Sequence, residues 1–459
     1  AFTMNGGKIT GNSCGSDAYS NGGGVCVNEG TFTVSGNVQI TGNTKDGSAN
    51  NVYLGSYNND PMATVTIGGE LTCGAGSIGV TAESPAVNVV VATGTSLTDE
   101  VAAKFKSDDR AYKVAVKEDD STKLVLKDKP HEHYLCGGDH CTGVGGHQDS
   151  LTTFQAWTST TSLPKEAGSY YLTNNVTLNE YWTPANGTVL CLNGHDITVN
   201  KNTDTVLPAA GAITVLSGST FTLTDCCDGN RQGKITHGTA DDDSKYTGSG
   251  VCAYGAFNMY GGSITGNEVK QEYCSGGGVY VPADGIFTLY GGSITGNKSN
   301  STRGSDYDGV GGGVFTVGTF TMYGGSISGN EAYRDGGGVY TAGDFTMYGG
   351  SITGNTAKGQ HYQNDYIGGG GVFVVGGSGS GATFTMKGGT ISDNTVYGAG
   401  GGVYVEKYTG SFVMENGTIS GNRAAVEDSK SYYAGEGGGV FADNCSFTMQ
   451  NGSITGNSA

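Results

Sequence analysis

The chain repeats short runs in which apolar and polar positions alternate between glycine pairs. The clearest run, at 345–355, reads Phe-Thr-Met-Tyr-Gly-Gly-Ser-Ile-Thr-Gly-Asn. Successive side chains of a strand point to opposite faces. The pattern therefore predicts two short strands joined at Gly-Gly, with Phe345, Met347 and Ile352 inside and Thr346 and Tyr348 outside.

This run occurs seven times in the second half of the chain. Its first Phe and its last Asn are ten residues apart in every copy, whereas successive copies begin 25 to 39 residues apart. A Gly-Gly-Gly-Val-aromatic element, as at 336–341, adds a third strand to each repeat. A constant core with insertions of variable length is typical of a stacked solenoid. The sequence thus predicts an all-β parallel β-helix with three short strands per turn.

The closing asparagines are predicted to form a structural ladder. Stacked turns lie about 4.8 Å apart, so that identical amides can hydrogen-bond from one turn to the next. The ladder residues are Asn267, Asn297, Asn330, Asn355, Asn394, Asn422 and Asn457.

The repeats divide the chain into three parts. Residues 1–127 hold two copies of the run and then irregular strands, which predicts the C-terminal part and the cap of a first β-helix, with one short helix at 99–105. Residues 128–157 form a Cys/His-rich linker or clasp, and 158–459 form a second β-helix with regular turns from about 251. This order predicts tandem β-helices in a longer polypeptide.

Composition and charge exclude several classes of partner. Asp plus Glu number 42 and Lys plus Arg number 24, a net charge of −18, which disfavours nucleic acid and anionic membrane surfaces. No apolar run approaches the roughly 20 residues of a spanning helix, so membrane insertion of this segment is not expected. Acidic loops are candidate calcium sites. Asp306, Asp308, Asp335 and Asp365 lie in variable loops, whereas Asp241-Asp242-Asp243 is predicted to be a solvated turn.

Eleven cysteines indicate an oxidising, extracellular setting. Neighbouring turns of the early second β-helix would pair Cys191 with Cys226 or Cys227. Weaker candidate disulfides are Cys14–Cys26 and Cys252–Cys274.

The clasp concentrates metal-binding residue types. His133, Cys136, Cys141 and His147 can reach one tetrahedral centre, with His131 or His140 as substitutes. Zinc takes four nitrogen or sulfur ligands in this geometry, and a glycine-rich segment with little core gains order from a structural metal. The alternative is a Cys136–Cys141 disulfide with solvated histidines.

Two columns of aromatic residues are predicted to face outward. One column follows the Gly-Gly-Gly-Val element, where every long preceding loop is followed by Phe and every short one by Tyr. We expect a long loop to cover each Phe and each Tyr hydroxyl to remain in water; the alternative is an ordinary inward-facing core. The other column follows Phe-Thr-Met, and it either binds a sugar or protein surface or stabilises the coil by stacking. The candidate binding residues are Tyr280, Tyr340 and Tyr404 in the first column and Tyr260, Tyr290, Tyr323 and Tyr348 in the second.

Three features of the sequence carry a family resemblance. They are the Gly-Gly-Gly-Val-Tyr and Phe-Thr-Met-X-Gly-Gly-X-Ile-X-Gly-Asn turns, the Cys/His clasp, and the Leu-Cys-Leu-Asn-Gly turn at 190–194. The chain resembles β-helical repeat surface proteins of Gram-positive gut anaerobes and, more distantly, passengers of autotransporters and polymorphic membrane proteins. The resemblance covers most of the chain. It implies a right-handed parallel β-helix located outside the cell, at the bacterial surface.

Two classes of function remain. The first is a non-enzymatic structural or adhesive module, a rigid rod in a large surface protein or fibre. Its partners would be a host or bacterial surface glycan or protein, further tandem domains, or its own copies joined head to tail. The alternative is a glycan-active enzyme, a polysaccharide lyase or hydrolase, which needs three or more convergent carboxylates in a groove. The repeat strands carry almost no acids, so no catalytic residue is assigned and a non-enzyme is expected.

Overall fold

The computed structural model describes the chain except residues 16, 18–19, 57–60, 110, 137–150, 201–210, 227–230, 238–247, 271–274, 302–308, 360–366, 377–380 and 427–433. It consists of two compact units, Ala1–His131 and Glu132–Ala459. The division lies inside the segment that the sequence assigns to the clasp. Within the described residues, no helix is long and apolar enough to cross a membrane.

The second unit is a parallel β-helix, as the sequence predicts. Its strands pair with the corresponding strands one turn away and keep the repeat in register, so that Phe345 pairs with Phe320 and Phe384. The strands that contain the repeated Phe continue a sheet here called the Phe sheet. Among the described residues it has twelve strands, in spatial order His131–His133, Thr152–Trp157, Ser169–Leu172, Thr188–Cys191, Thr220–Thr224, Ala256–Met259, Ile286–Leu289, Thr319–Met322, Phe345–Met347, Thr383–Met386, Ser411–Met414 and Ser446–Met449.

Two further parallel sheets complete the predicted three strands per turn. The Ile sheet contains Val176–Leu178, Ile197–Val199, Lys234–His237, Ser263–Thr265, Ser293–Thr295, Ser326–Ser328, Ser351–Thr353, Thr390–Ser392, Thr418–Ser420 and Ser453–Thr455. The Val sheet contains Gly211–Val215, Ser249–Ala253, Val279–Val281, Val314–Thr316, Val339–Thr341, Val372–Val374, Val403–Val405 and Val440–Ala442.

Besides the three predicted strands, the regular turns have a fourth strand that the sequence pattern does not show. This strand follows the closing Asn directly and is only two residues long, too short for an alternating pattern to be seen in the sequence. Its members are Glu268–Val269, Lys298–Ser299, Glu331–Ala332, Thr356–Ala357, Thr395–Val396 and Arg423–Ala424.

The interior of the second unit is a column of like residues. Phe345, Met347 and Ile352 are completely buried, whereas Tyr348 is 46% exposed. The rings of the repeated Phe residues stack from Phe221 to Phe447, with neighbouring centroids 4.5 to 5.7 Å apart. The inward and outward positions predicted from the alternation are therefore confirmed.

The closing asparagines form a continuous hydrogen-bonded ladder. The Asn355 side-chain oxygen accepts from the backbone and side-chain amides of Asn330, at 3.0 and 2.9 Å. The Asn355 Nδ2 donates to the Ile327 carbonyl at 3.0 Å and to Asn394 Oδ1 at 2.9 Å. The amide-to-amide step repeats from Asn267 to Asn457. The ladder thus satisfies buried backbone groups at the bend of each turn.

The first unit begins as a parallel stack and ends in an antiparallel arrangement. One sheet has the order Phe2–Met4, Phe32–Gly36, Val65–Leu71, Val90–Thr93, Asp120–Asp128 and Tyr112–Lys117, and its last two pairings are antiparallel. The second contains Gly7–Thr10, Val38–Thr41, Ile78–Ala82, Val52–Leu54 and Val25–Val27, with Phe105–Ser107 beside Ile78–Ala82, and a small third sheet contains Ser13–Cys14, Thr44–Lys45 and Ser48–Ala49. The helix is Asp99–Ala102. It ends before the predicted 105 because Phe105 begins a strand.

The first unit carries a shorter amide ladder that ends on a carboxylate. Asn12 donates to Asn43, Asn43 to Asn51, and Asn51 to Asp108 at 2.7 Å. Asp108 also accepts from the Asn51 backbone and from Thr81, both at 2.7 Å. A carboxylate only accepts hydrogen bonds, so it ends a ladder in which every asparagine must donate onward.

Candidate functional site

The clasp contains the strand His131–His133, here called the clasp strand, which lies at one edge of the Phe sheet. Because side chains alternate along a strand, His131 and His133 share one face. Glu132 lies on the other face, where it accepts a hydrogen bond from Thr153 at 2.8 Å. The hydroxyl of Thr224 donates to the Leu135 carbonyl at 2.5 Å, which holds this segment against the strand Thr220–Thr224.

Two cysteines of neighbouring turns lie next to each other. Cys191 ends the strand Thr188–Cys191 and pairs with Thr224, and Cys226 follows two residues later. The Cys191 thiol donates to the Cys226 sulfur at 3.5 Å. A disulfide bond is about 2.05 Å long, so the sulfurs are in contact here and the Cys191–Cys226 disulfide stays a prediction.

The histidines of the strand His131–His133 and the two cysteines together form a group that could hold a metal ion. The ligand atoms of His131, His133, Cys191 and Cys226 all lie within 4.8 Å of one another. A tetrahedral ion with metal–sulfur bonds of about 2.3 Å separates two sulfurs by roughly 3.8 Å, close to the 3.5 Å observed between Cys191 and Cys226. Two sulfur and two nitrogen donors are a ligand set that structural metal sites use.

The surroundings of His133 orient it as a ligand. Its Nδ1 lies 2.6 Å from the Tyr134 carbonyl, which can only accept, so Nδ1 carries the proton and Nε2 presents its lone pair. The ring stacks on Phe154 with centroids 4.4 Å apart. A second hydrogen bond that fixes the tautomer is the usual support of a ligating histidine.

Burial and the hydrogen bond to Cys226 raise the pKa of the Cys191 thiol well above its ordinary value. Without a cation this buried thiol is therefore neutral. A bound metal ion would supply the positive charge that stabilises its thiolate.

The structure brings together only part of the predicted ligand set. His133 belongs to the group, as does His131, which the sequence offers as a substitute. Among the described residues Cys136 is not a member, and His140, Cys141 and His147 lie outside them. Cys191 and Cys226 take the sulfur positions instead. The sequence signal for these two was their place in neighbouring turns, which predicted a mutual contact but not the histidines opposite.

The structure says less about the other candidate disulfides. Partial burial and the neighbouring Cys14 raise the pKa of Cys26, so these two are close to each other. Cys252 is completely buried, whereas Cys227 and Cys274 lie outside the described residues. These disulfides stay predictions.

The aromatic column after Gly-Gly-Gly-Val packs outside the main core but is not exposed. Tyr340 and Tyr404 belong to a separate cluster with Phe315 and Phe373, and they are 5% and 0% exposed. The expectation that short loops leave the tyrosines of this column in water is wrong for Tyr340 and Tyr404, whereas Tyr280 is half-buried. The backbone of Gly368 from the neighbouring turn lies directly on the Tyr404 ring, so close that a Cβ there would collide with it. Part of the cover of Tyr404 therefore comes from the preceding turn.

The second column, Tyr260, Tyr290, Tyr323 and Tyr348, is partly exposed and stacked. Neighbouring centroids are 4.3 to 5.2 Å apart, and Lys387 continues the column 5.7 Å from the Tyr348 centroid. Stacking occupies the ring faces, so the column offers mainly ring edges and hydroxyls to solvent. Sugars pack on ring faces, so this geometry favours stabilisation of the coil over sugar stacking.

The acidic loops contain one described aspartate, Asp335. Its carboxylate is buried, accepts from the Gly368 backbone at 2.8 Å and lies 3.3 Å from Arg334 Nε. These contacts brace two loops. The other candidate calcium ligands lie outside the described residues.

Comparison of the chain with protein-family models, with curated proteins and with solved structures finds no match.

Proposed function

We propose that this chain is a non-enzymatic structural module of an extracellular bacterial surface protein. The observation that supports this most is the unbroken register of the second unit. The Phe stack and the Asn ladder run through every regular turn, although the number of residues between successive turns varies along the sequence. Twelve strands at about 4.8 Å spacing make a Phe sheet about 50 Å long.

A stack of this kind resists deformation, because each turn is fixed to both neighbours by buried contacts. Among the described residues, the ring edges and hydroxyls of the tyrosine column are a surface available to a partner. We infer that this partner is a surface glycan or protein, or a further β-helix joined in tandem or head to tail.

Mechanical unfolding tests the rod. When the full chain is pulled from its two ends in a single-molecule experiment, we expect the regular turns to detach one after another. Each step should release about 80 to 140 Å of chain, since a repeat spans 25 to 39 residues. A single low-force transition without steps would contradict a load-bearing rod.

The enzymatic alternative is tested on a panel of acidic and neutral polysaccharides, with and without calcium. We expect neither reducing ends nor unsaturated products to accumulate above the level of heat-denatured protein. Product that grows with time and with protein concentration would overturn the proposal.

For the metal group we propose zinc, held by His131, His133, Cys191 and Cys226. Two imidazoles and two thiolates suit its tetrahedral preference. The ion would tie the clasp strand to turns whose residues are far away in the sequence, and it would supply order to a segment with little core of its own.

Zinc analysis of purified protein tests this assignment. We expect about one zinc per chain, and a cobalt-substituted protein with the visible spectrum of a tetrahedral site. Cys191→Ser and His133→Ala should each lower zinc affinity at least about tenfold, whereas Cys445→Ser, a cysteine outside the group, should not. The double variant Cys141→Ser/His147→Ala distinguishes the two ligand sets. Loss of zinc in this variant, with retention in Cys191→Ser, would contradict the assignment.

A further inference from the structure

The disulfide predicted from the sequence and the metal group found in the structure use the same two sulfur atoms. Cys191 and Cys226 are the cysteines of the metal group and also the two sulfurs in contact at 3.5 Å. A zinc ligand must be a thiolate, and a sulfur within a disulfide is not one. The two states therefore exclude each other at this site.

We propose that Cys191 and Cys226 form a redox-controlled zinc site, which binds zinc when the cysteines are reduced and releases it when a peroxide oxidises them to a disulfide. This inference rests on the zinc assignment of the proposed function. It adds that occupancy of the site, and with it the attachment of the clasp strand, follows the redox state.

The geometry permits this change with little movement. Closing the sulfur–sulfur distance from 3.5 Å to the bonded value requires a shift of about 1.5 Å. Cys191 lies at a strand end whose backbone is fixed by pairing with Thr224. Cys226 follows beyond the paired residues, so its side chain is the one expected to move.

Exposure determines the order of the steps. Cys226 is partly exposed whereas Cys191 is completely buried, so the peroxide reaches Cys226 first. The Cys226 thiolate attacks one peroxide oxygen, the O–O bond breaks, and a sulfenic acid and hydroxide form. The Cys191 thiolate then attacks the Cys226 sulfur, and the sulfenic oxygen leaves as hydroxide.

Overall the two thiolates lose two electrons, the peroxide gains them, and two protons taken up from the buffer convert the two hydroxide ions to two water molecules. Zinc leaves as the hydrated ion, because the two histidines alone hold it weakly. His131 and His133 then lose the zinc ion that they share with the two cysteines, whereas the hydrogen bond from Thr224 to Leu135 remains.

The test uses the full chain, loaded with one equivalent of zinc and titrated with hydrogen peroxide. A chromogenic chelator measures released zinc, and mass spectrometry of alkylated, digested protein identifies the bonded cysteines. We expect one zinc released for each Cys191–Cys226 disulfide formed, and recovery of zinc binding after reduction. Cys445→Ser should behave like the parent chain.

The variant His131→Ala separates the redox step from the metal assignment. It should bind zinc more weakly but still form the Cys191–Cys226 disulfide, and at lower peroxide, because zinc shields Cys226 for less of the time. Zinc that binds to the parent chain but is released with a different disulfide would overturn the redox inference and leave the zinc assignment standing. Failure of the reduced chain to bind zinc would overturn both.

Discussion

Replacing Asn355 with alanine should lower the free energy of unfolding by about 4 kcal/mol, because it opens the amide ladder in the middle of the regular stack. The side chain makes four hydrogen bonds, two accepted from Asn330 and two donated to Ile327 and Asn394. Alanine leaves the buried Asn330 backbone N–H without this acceptor and the Ile327 carbonyl without this donor. Each buried group left unsatisfied costs about 1–3 kcal/mol.

Urea denaturation followed by circular dichroism measures this loss. Thr346→Ala is the matched control, since Thr346 lies in the same turn but faces outward, and it should change the free energy by less than about 0.5 kcal/mol. Asn355→Asp tests the direction of the hydrogen bonds. It keeps both acceptors for Asn330 but cannot donate, so its cost should approach that of alanine. A loss below about 1 kcal/mol for Asn355→Ala would show that the ladder is not a main source of stability.

Replacing Gly337 with alanine should lower the free energy of unfolding by about 3 kcal/mol. The added Cβ would lie 2.5 Å from the Thr356 carbonyl carbon, 2.6 Å from its oxygen and 2.7 Å from the Gly370 oxygen. All three are backbone atoms that the stack holds in place, so no side chain can move aside. The chain would have to separate two turns to accommodate one methyl group.

Gly354→Ala is the matched control for Gly337→Ala. Gly354 has a positive φ of 62° but no atom within 4 Å of the added Cβ, so it should cost only the strain of left-handed backbone, about 1–2 kcal/mol. Denaturation midpoints of the two variants, measured under identical conditions, compare the stability lost by the collision at Gly337 with the stability lost by backbone strain at Gly354. Equal losses would mean that the stack relaxes around Gly337.

Most of the fold could be predicted from the local sequence repeat. Alternation at Phe345, Met347 and Ile352 depends only on neighbouring positions, so the buried and exposed faces follow from the chain itself. The constant offset from Phe345 to Asn355 also places the amides in one column, and an amide can both accept and donate along the stack. These features need no knowledge of distant contacts.

Other features depend on contacts between turns. The fourth strand has two residues per turn, as in Thr356–Ala357. It exists because the asparagine ladder that precedes it holds successive turns in register. The burial of Tyr404 depends on Gly368, which belongs to another turn. Loop length within one repeat therefore could not predict it.

The sequence by itself determined a stacked β-helix with an asparagine ladder, because periodicity and side-chain alternation are local properties. It also marked His131 and His133 as metal-binding residue types and Cys191 and Cys226 as neighbours. Only the tertiary structure decided that these two pairs meet, since they lie on different elements separated by 58 to 95 residues. Ligand geometry arises from the stacking of turns against the clasp strand, and no spacing along the chain encodes it.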